Sequence, residues 1–139
     1  KVLLGFVEES GEYDIAIVDS QAGPEVLGRG LAASFDCNLV LTEPTAKSSE
    51  VSKQVMRLAA DLGVKDTILA VNKIDQPEDV AFTAQLVGIP SYKAFGIRFD
   101  RDVVDADRNG YLLAKKYPES KALEDMKILR DALAKSIGW

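Results

Sequence analysis

The sequence predicts an α/β fold: a mostly parallel sheet of about four strands with helices on both faces. Three observations carry that prediction. Short apolar runs alternate with stretches of helical periodicity along the chain. The runs are continuous in polarity, as expected of strands buried on both faces of a parallel sheet. The residues that carry chemistry fall just after those runs, and ligands of parallel sheets sit outside the carboxyl ends of the strands.

Residues 2–8 are apolar and short and read as the end of a helix stopped near Gly11. The Ile/Val run over 14–18 reads as the first buried strand. Pro24 suits the first turn of a helix over 24–35, in which Gly28 and Gly30 cost roughly 1 kcal/mol each relative to Ala. Asn38 to Glu43 is the second strand, closed by Pro44. Residues 47–62 form the clearest helix, with Val51, Val55, Leu58 and Leu62 on one face and Gly63 at its C′ position. Residues 67–72 make the third strand. Pro77, Glu78 and Asp79 start a helix that runs to about Val87 and ends at Gly88 and Pro90. Tyr92 to Ile97 is the fourth strand, Val103 to Leu113 a mixed helix, and Pro118 opens a last helix with Ala122, Met126, Leu129, Leu133 and Ile137 on one face.

At 139 residues the chain is a single domain, 1–139, long enough to bury a core. The net charge of −5 and the pI near 4.8 come without a basic stripe, so a nucleic-acid partner is not expected. A single cysteine, Cys37, excludes an internal disulfide framework, and with no histidine a His/Cys metal cage within one copy is excluded as well. Cys37 reads as a reduced, inert thiol beside an apolar strand. No membrane span or signal peptide is evident, so a cytoplasmic protein is expected. A chain that begins at Lys1 instead of Met reads as a processed or excised piece.

Four segments fall at expected strand ends: Asp19, Thr42 to Thr45, Asn72 to Asp75 and Arg98 to Asp102. Asp19 has the placement of a carboxylate that holds Mg²⁺, and Gly23 that of a backbone N–H offered to a terminal phosphate. The same residues also fit an ordinary strand-to-helix turn capped by Asp19 or Ser20. Asn72, Lys73 and Asp75 supply an amide and a carboxylate able to read a purine edge; Asp75 or Gln76 equally suits a helix cap. Arg98 and Phe99 either line a base pocket, with the ring stacking, or belong to a solvated loop. Lys127, Arg130 and Lys135 beside Trp139 hint at a membrane-surface helix, but Glu124, Asp125 and Asp131 dilute the charge and favour a core-packing helix.

Taken together, "YDIAIVDSQAGPE" (13–25), "NLVLTEPT" (38–45), "AVNKID" (70–75) and "FGIRFDRDVVDADRNG" (95–110) resemble the Walker B and switch II segment, the next core strand, the base-contacting strand end and the base-flanking loop of the deviant-Walker-A ATPases, the MinD/ParA class. "AGPEVLGRG" (22–30) is most similar to accessory ATPases that help insert nickel into carbon monoxide dehydrogenase. The resemblance implies ATP and Mg²⁺ as ligands of the whole protein. It gives Asp19 the magnesium and switch role, Gly23 the γ-phosphate role and Asn72 the base contact; Asp75 completes an Asn-Lys-x-Asp, so guanine stays open. It also implies a partial P-loop fold, because the family's glycine-rich Lys-Thr loop and its strand do not occur in this sequence. Charge-assisted hydrogen bonds are worth roughly 1.5–3 kcal/mol each, so losing four subtracts about 6 kcal/mol, or about four decades of affinity. These residues alone are therefore expected neither to bind nor to hydrolyse ATP. In the family the P-loop strand lies between the strand ending at Asp19 and the one ending at Glu43, so either the missing half is expected in the intact protein or self-association, as a homodimer, is expected of this copy. The alternative is a non-catalytic α/β interaction domain; a phosphoacceptor receiver domain fits less well, since only Lys73 and Thr42 loosely match its needs.

Overall fold

The computed structural model describes residues 14–19 and 35–139. Within them lies a three-stranded parallel sheet in the order β1 (Cys37–Thr42), β2 (Asp66–Ile74), β3 (Ala94–Arg98). Helix α1 (Ala46–Asp61) links the first pair of strands and α2 (Glu78–Val87) the second. After β3 come α3 (Arg101–Asn109), a short α4 (Leu113–Lys116) and the long α5 (Lys121–Ser136).

The strands step in one direction across the sheet, and crossovers of one hand then deposit both connecting helices on the same face. Val40, Leu69, Val71, Ile74 and Val87 form the core of that face, with Val55 and Met56 of α1 and Val80 of α2 packed on them. The opposite face belongs to the later helices. Ile68, Ala70 and Ile97 pack there against Ala122 and Leu129 of α5, with Val103 of α3 at the border. Helices on both faces and an all-parallel sheet agree with the sequence pattern.

One expected element is corrected. Residues 14–18 form no strand: Ile17 is 93% exposed and Val18 51%. A strand exists through hydrogen bonds to a neighbour, and among the described residues this run pairs with none. The described sheet therefore has three strands where about four were expected. Residues 2–8, Gly23 and, its last residue apart, the helix expected over 24–35 lie outside the described residues.

Other boundaries move by a few residues for local reasons. The hydroxyl of Thr45 accepts from Ser48 N (3.1 Å) and starts α1 one residue early. Gly63, at φ +80°, takes the left-handed position after the C-cap Leu62. The helix expected over 103–113 splits, because Asp100 caps α3 from further upstream and Gly110 ends it in the left-handed conformation.

Candidate functional site

β2 is the central strand, and its carboxyl end does not finish regularly. The pairing with β3 shifts between Asn72 and Ile74, and Lys73 sits at φ +59°, the one non-glycine residue with positive φ among the described residues. A β-bulge re-aims the side chains beside it. Here it returns Ile74 to the face of Leu69 and Val71, where it joins their core. Gly96 of β3 makes room: a Cβ there would sit 2.5 Å from Ile74 Cδ1 and 2.7 Å from Val80 Cγ2.

The same bulge fixes Asn72. Its carboxamide oxygen accepts from the backbone N–H of Lys73 (3.0 Å), so the NH₂ end is the one left to meet a ligand. Asn72 is half-buried and lines an open groove of about 490 Å³ with Leu41, Thr42, Glu43, Lys47, Ser48 and Ser52. The groove runs beside the amino end of α1, where unpaired N–H groups and the helix dipole favour an anion.

Lys73 and Glu43 bind each other across the two strand ends, Nζ to Oε1, at 2.6 Å. Both side chains are about half exposed (57% and 45%), and such pairs are worth about 0.2–1 kcal/mol. Holding a non-glycine residue in the left-handed region costs roughly 1–2 kcal/mol. The two ranges meet only at about 1 kcal/mol, so the ion pair offsets part of the backbone cost and the rest of the loop carries the remainder. Glu43 is itself anchored, since its carbonyl accepts from Thr45 N (2.7 Å) at the start of α1.

Asp75 is exposed and does not cap the helix that follows. Asp79, in the first turn of α2, reaches back to the loop before the helix: its Oδ2 accepts from Asp75 N (2.9 Å) and Gln76 N (3.1 Å). The 72–75 loop thus has backbone supports on both sides while the Asp75 carboxylate faces solvent.

Arg98 and Phe99 part company. Phe99 stays at the rim: its N–H donates to Ile74 O (3.0 Å) and its ring is half exposed. Arg98 turns to α5. Its Nε donates to Asp125 Oδ2 (2.8 Å), and its Nη2 to Asp125 Oδ1 (2.8 Å) and Glu124 Oε2 (2.7 Å). The hydrogen bond to Asp125, then that to Glu124, hold the guanidinium pKa above its ordinary value. The next acid works in the same way. Asp100 accepts from Asp102 N (3.0 Å), Ser120 Oγ (2.8 Å) and Ala122 N (3.3 Å), tying the starts of α3 and α5 together. Its carboxyl is held below the ordinary range, first by the Asp102 N–H.

The opposite rim is polar too. Asp66, at the start of β2, is bound by Lys93 and by Ser136 Oγ (2.7 Å), which together lower its pKa, Lys93 first. Cys37 lies beside them as a free thiol, and burial pushes its pKa up, so it is a poor nucleophile at neutral pH.

The structure therefore brings Asn72, Lys73, Asp75 and Phe99 to one rim and commits the Arg98 side chain elsewhere. Asp19 is exposed at the end of the separately described 14–19 stretch. Among the described residues no three His, Cys, Asp or Glu side chains cluster as a metal site. Mg²⁺ commonly takes only one or two protein carboxylates and completes its shell with phosphate and water, and a single exposed carboxylate such as Asp19 is a ligand of that kind. The sequence places Glu43 in the Thr42 to Thr45 strand end and Asp79 at a helix start, without a partner for either. For Asp79 a signal existed, an acid in the first turn after Pro77; nothing in the sequence pairs Glu43 with Lys73, thirty residues away.

No protein-family model matches the chain. The chain is 33% identical over 98 residues to the carbon monoxide dehydrogenase accessory protein CooC of Rhodospirillum rubrum, covering 70% of this chain and 36% of that protein. It is 39% identical over 61 residues to an uncharacterized ATP-binding protein of Methanocaldococcus jannaschii and 36% identical over 64 residues to a second one. Those two alignments cover 44% and 46% of this chain, and 24% and 25% of the relatives. The chain spans about a quarter to a third of the length of the curated relatives it matches, and those matches relate it to ATP-binding proteins.

Proposed function

We propose that these residues form the Walker B, switch II and base-contacting part of a nucleotide-switch ATPase of the MinD/ParA class, of the accessory or maturation type. The observation that carries the reading is Asn72: a half-buried amide, set on a bulge at the carboxyl end of the central strand, with its NH₂ left for a ligand beside an open groove. The relationship to ATP-binding proteins supports it.

In this reading Asn72 meets the base, Lys73, Asp75 and Phe99 flank it, Gly23 offers its N–H to the γ-phosphate, and Asp19 holds Mg²⁺. Arg98 contributes by fastening the loop that carries Phe99. Nucleotide binding orders Ser20 to Gly30 and hydrolysis releases it, a timed switch in the cytoplasm. The glycine-rich loop that supplies the positive charge is contributed from outside these residues. The switch works as a dimer or with another segment on β1. Among the described residues that strand pairs on one side only, and its Leu39 and Leu41 are 42% and 60% exposed.

Titration of a fluorescent ATP analogue into the intact protein tests the proposal. Asn72→Ala is expected to weaken binding about tenfold, the loss of one well-made hydrogen bond to a ligand, with an unchanged circular dichroism spectrum. Equal affinity in the variant sinks the role given to Asn72. Micromolar binding by residues 1–139 alone sinks the role given to the external loop.

A further inference from the structure

We infer that Glu43 is a positioning residue for the Asn72 amide, acting through Lys73; the claim rests on the base-contact reading of Asn72 given above. Three links connect the two side chains. The Glu43 carboxylate binds Lys73 Nζ at 2.6 Å, Lys73 holds φ +59°, and in that conformation its N–H reaches the Asn72 carboxamide oxygen at 3.0 Å.

Each link depends on the one before. The ion pair supports the left-handed backbone of Lys73, which most side chains avoid, alongside Ile74 in the core and the Asp79 bonds to Asp75 N and Gln76 N. Loss of the pair raises the share of conformers in which the peptide N–H has swung away from Asn72. The freed carboxamide then turns about its last torsion, which is broad and roughly two-fold, and offers oxygen as readily as nitrogen. Glu43 therefore governs which end of the amide a ligand meets. It is suited to this work because its own carbonyl is fixed by Thr45 N at the start of α1 and by the Thr42 hydroxyl. The contact also joins the ends of β1 and β2 beside the groove that Glu43 and Asn72 line.

The test compares wild type, Glu43→Ala and Glu43→Ala with Lys73→Gly in the intact protein. Two quantities are read: hydrogen exchange of the residue-73 amide without nucleotide, corrected for intrinsic rate, and ATP affinity. The single variant is expected to speed exchange and weaken ATP binding, each by about two- to five-fold, the span of an exposed ion pair. Glycine adopts positive φ without a partner, so the double variant is expected to recover exchange at residue 73 to within about twofold; affinity is compared only between wild type and Glu43→Ala, because Lys73 flanks the base. A merely electrostatic role for Glu43 predicts no such rescue, and a double variant that exchanges as fast as the single one overturns the proposal. So does unchanged exchange in Glu43→Ala, or changed exchange with unchanged affinity. If the wild type binds no ATP, the nucleotide reading fails separately, while exchange at residue 73 and its rescue by glycine still decide whether Glu43 positions the loop.

Discussion

Two charged clusters stand at the carboxyl ends of neighbouring strands, and they do opposite things. At the end of β3, Arg98 is clasped by Asp125 and Glu124, and Asp125 keeps only 12% of its side chain exposed. At the end of β2, Lys73 and Glu43 meet in the open, with Asn72 beside them and a groove in front. The first cluster joins a strand to the helix that covers it. The second joins two strands at a rim that nothing covers among the described residues. Charge alone does not mark a site; the state of its partners does. An ion spent on fastening has no valence left for a ligand, whereas an amide with one end tied and one end open does.

The contrast can be broken by substitution. The largest effect is expected at Arg98→Ala. It strands a mostly buried Asp125 carboxylate and removes charge-assisted bonds worth about 1.5–3 kcal/mol each in good geometry. With the guanidinium 40% exposed, the discounted loss is about 2 kcal/mol, measured by urea unfolding. A loss below half a kcal/mol would return Arg98 to the list of ligand contacts. Gly96→Ala comes next, at about 1–2 kcal/mol, because the new methyl overlaps the ends of Ile74 and Val80. Trimming Ile74 to Val in the same chain should recover part of that loss.

Asp100→Asn keeps a good capping residue but turns charge-assisted hydrogen bonds from Asp102 N, Ser120 Oγ and Ala122 N into neutral ones; it is expected to cost about 1 kcal/mol at neutral pH, and its pH dependence sharpens the assignment. The folded-state pKa of Asp100 is depressed. Its contribution is therefore complete above the unfolded value of about 3.9 and disappears as pH falls through the lower folded value. Wild type and variant should converge in stability below that window; a constant gap down to the lowest pH would show that geometry, not ionisation, carries the effect. Asn72→Ala should change stability least, by under about 0.5 kcal/mol, while changing nucleotide affinity most. Reversal of that order between Arg98 and Asn72 would exchange the roles of the two clusters.

How far the sequence showed this in advance differs between the same regions. The alternation of apolar runs with helical faces located β1, β2, β3, α1, α2 and α5 to within a few residues, because burial on both faces leaves an unmistakable pattern. Asn72, Lys73, Asp75 and Phe99 were readable as rim residues because each follows such a run. The commitment of Arg98 was not readable: its partners lie 26 and 27 residues away on another element, and spacing says nothing about a contact made by packing. The run at 14–18 misled for the complementary reason. Its composition suits a strand, but pairing is a property of two segments and the sequence displays one.

The Asp66 cluster described at the far rim has a consequence for how the chain comes to be made. Asp66 is joined to Ser136, seventy residues later and within four of the end of these residues. The α1 and α2 side of the sheet uses contiguous chain and can assemble as soon as β3 emerges during synthesis. The other side waits for α5, so Ile68, Ala70 and Ile97 remain bare until residues 121–136 have emerged. Nascent chains stalled before residue 121 should therefore be held by chaperones through that one uncovered side, and released once the last helix is free to dock.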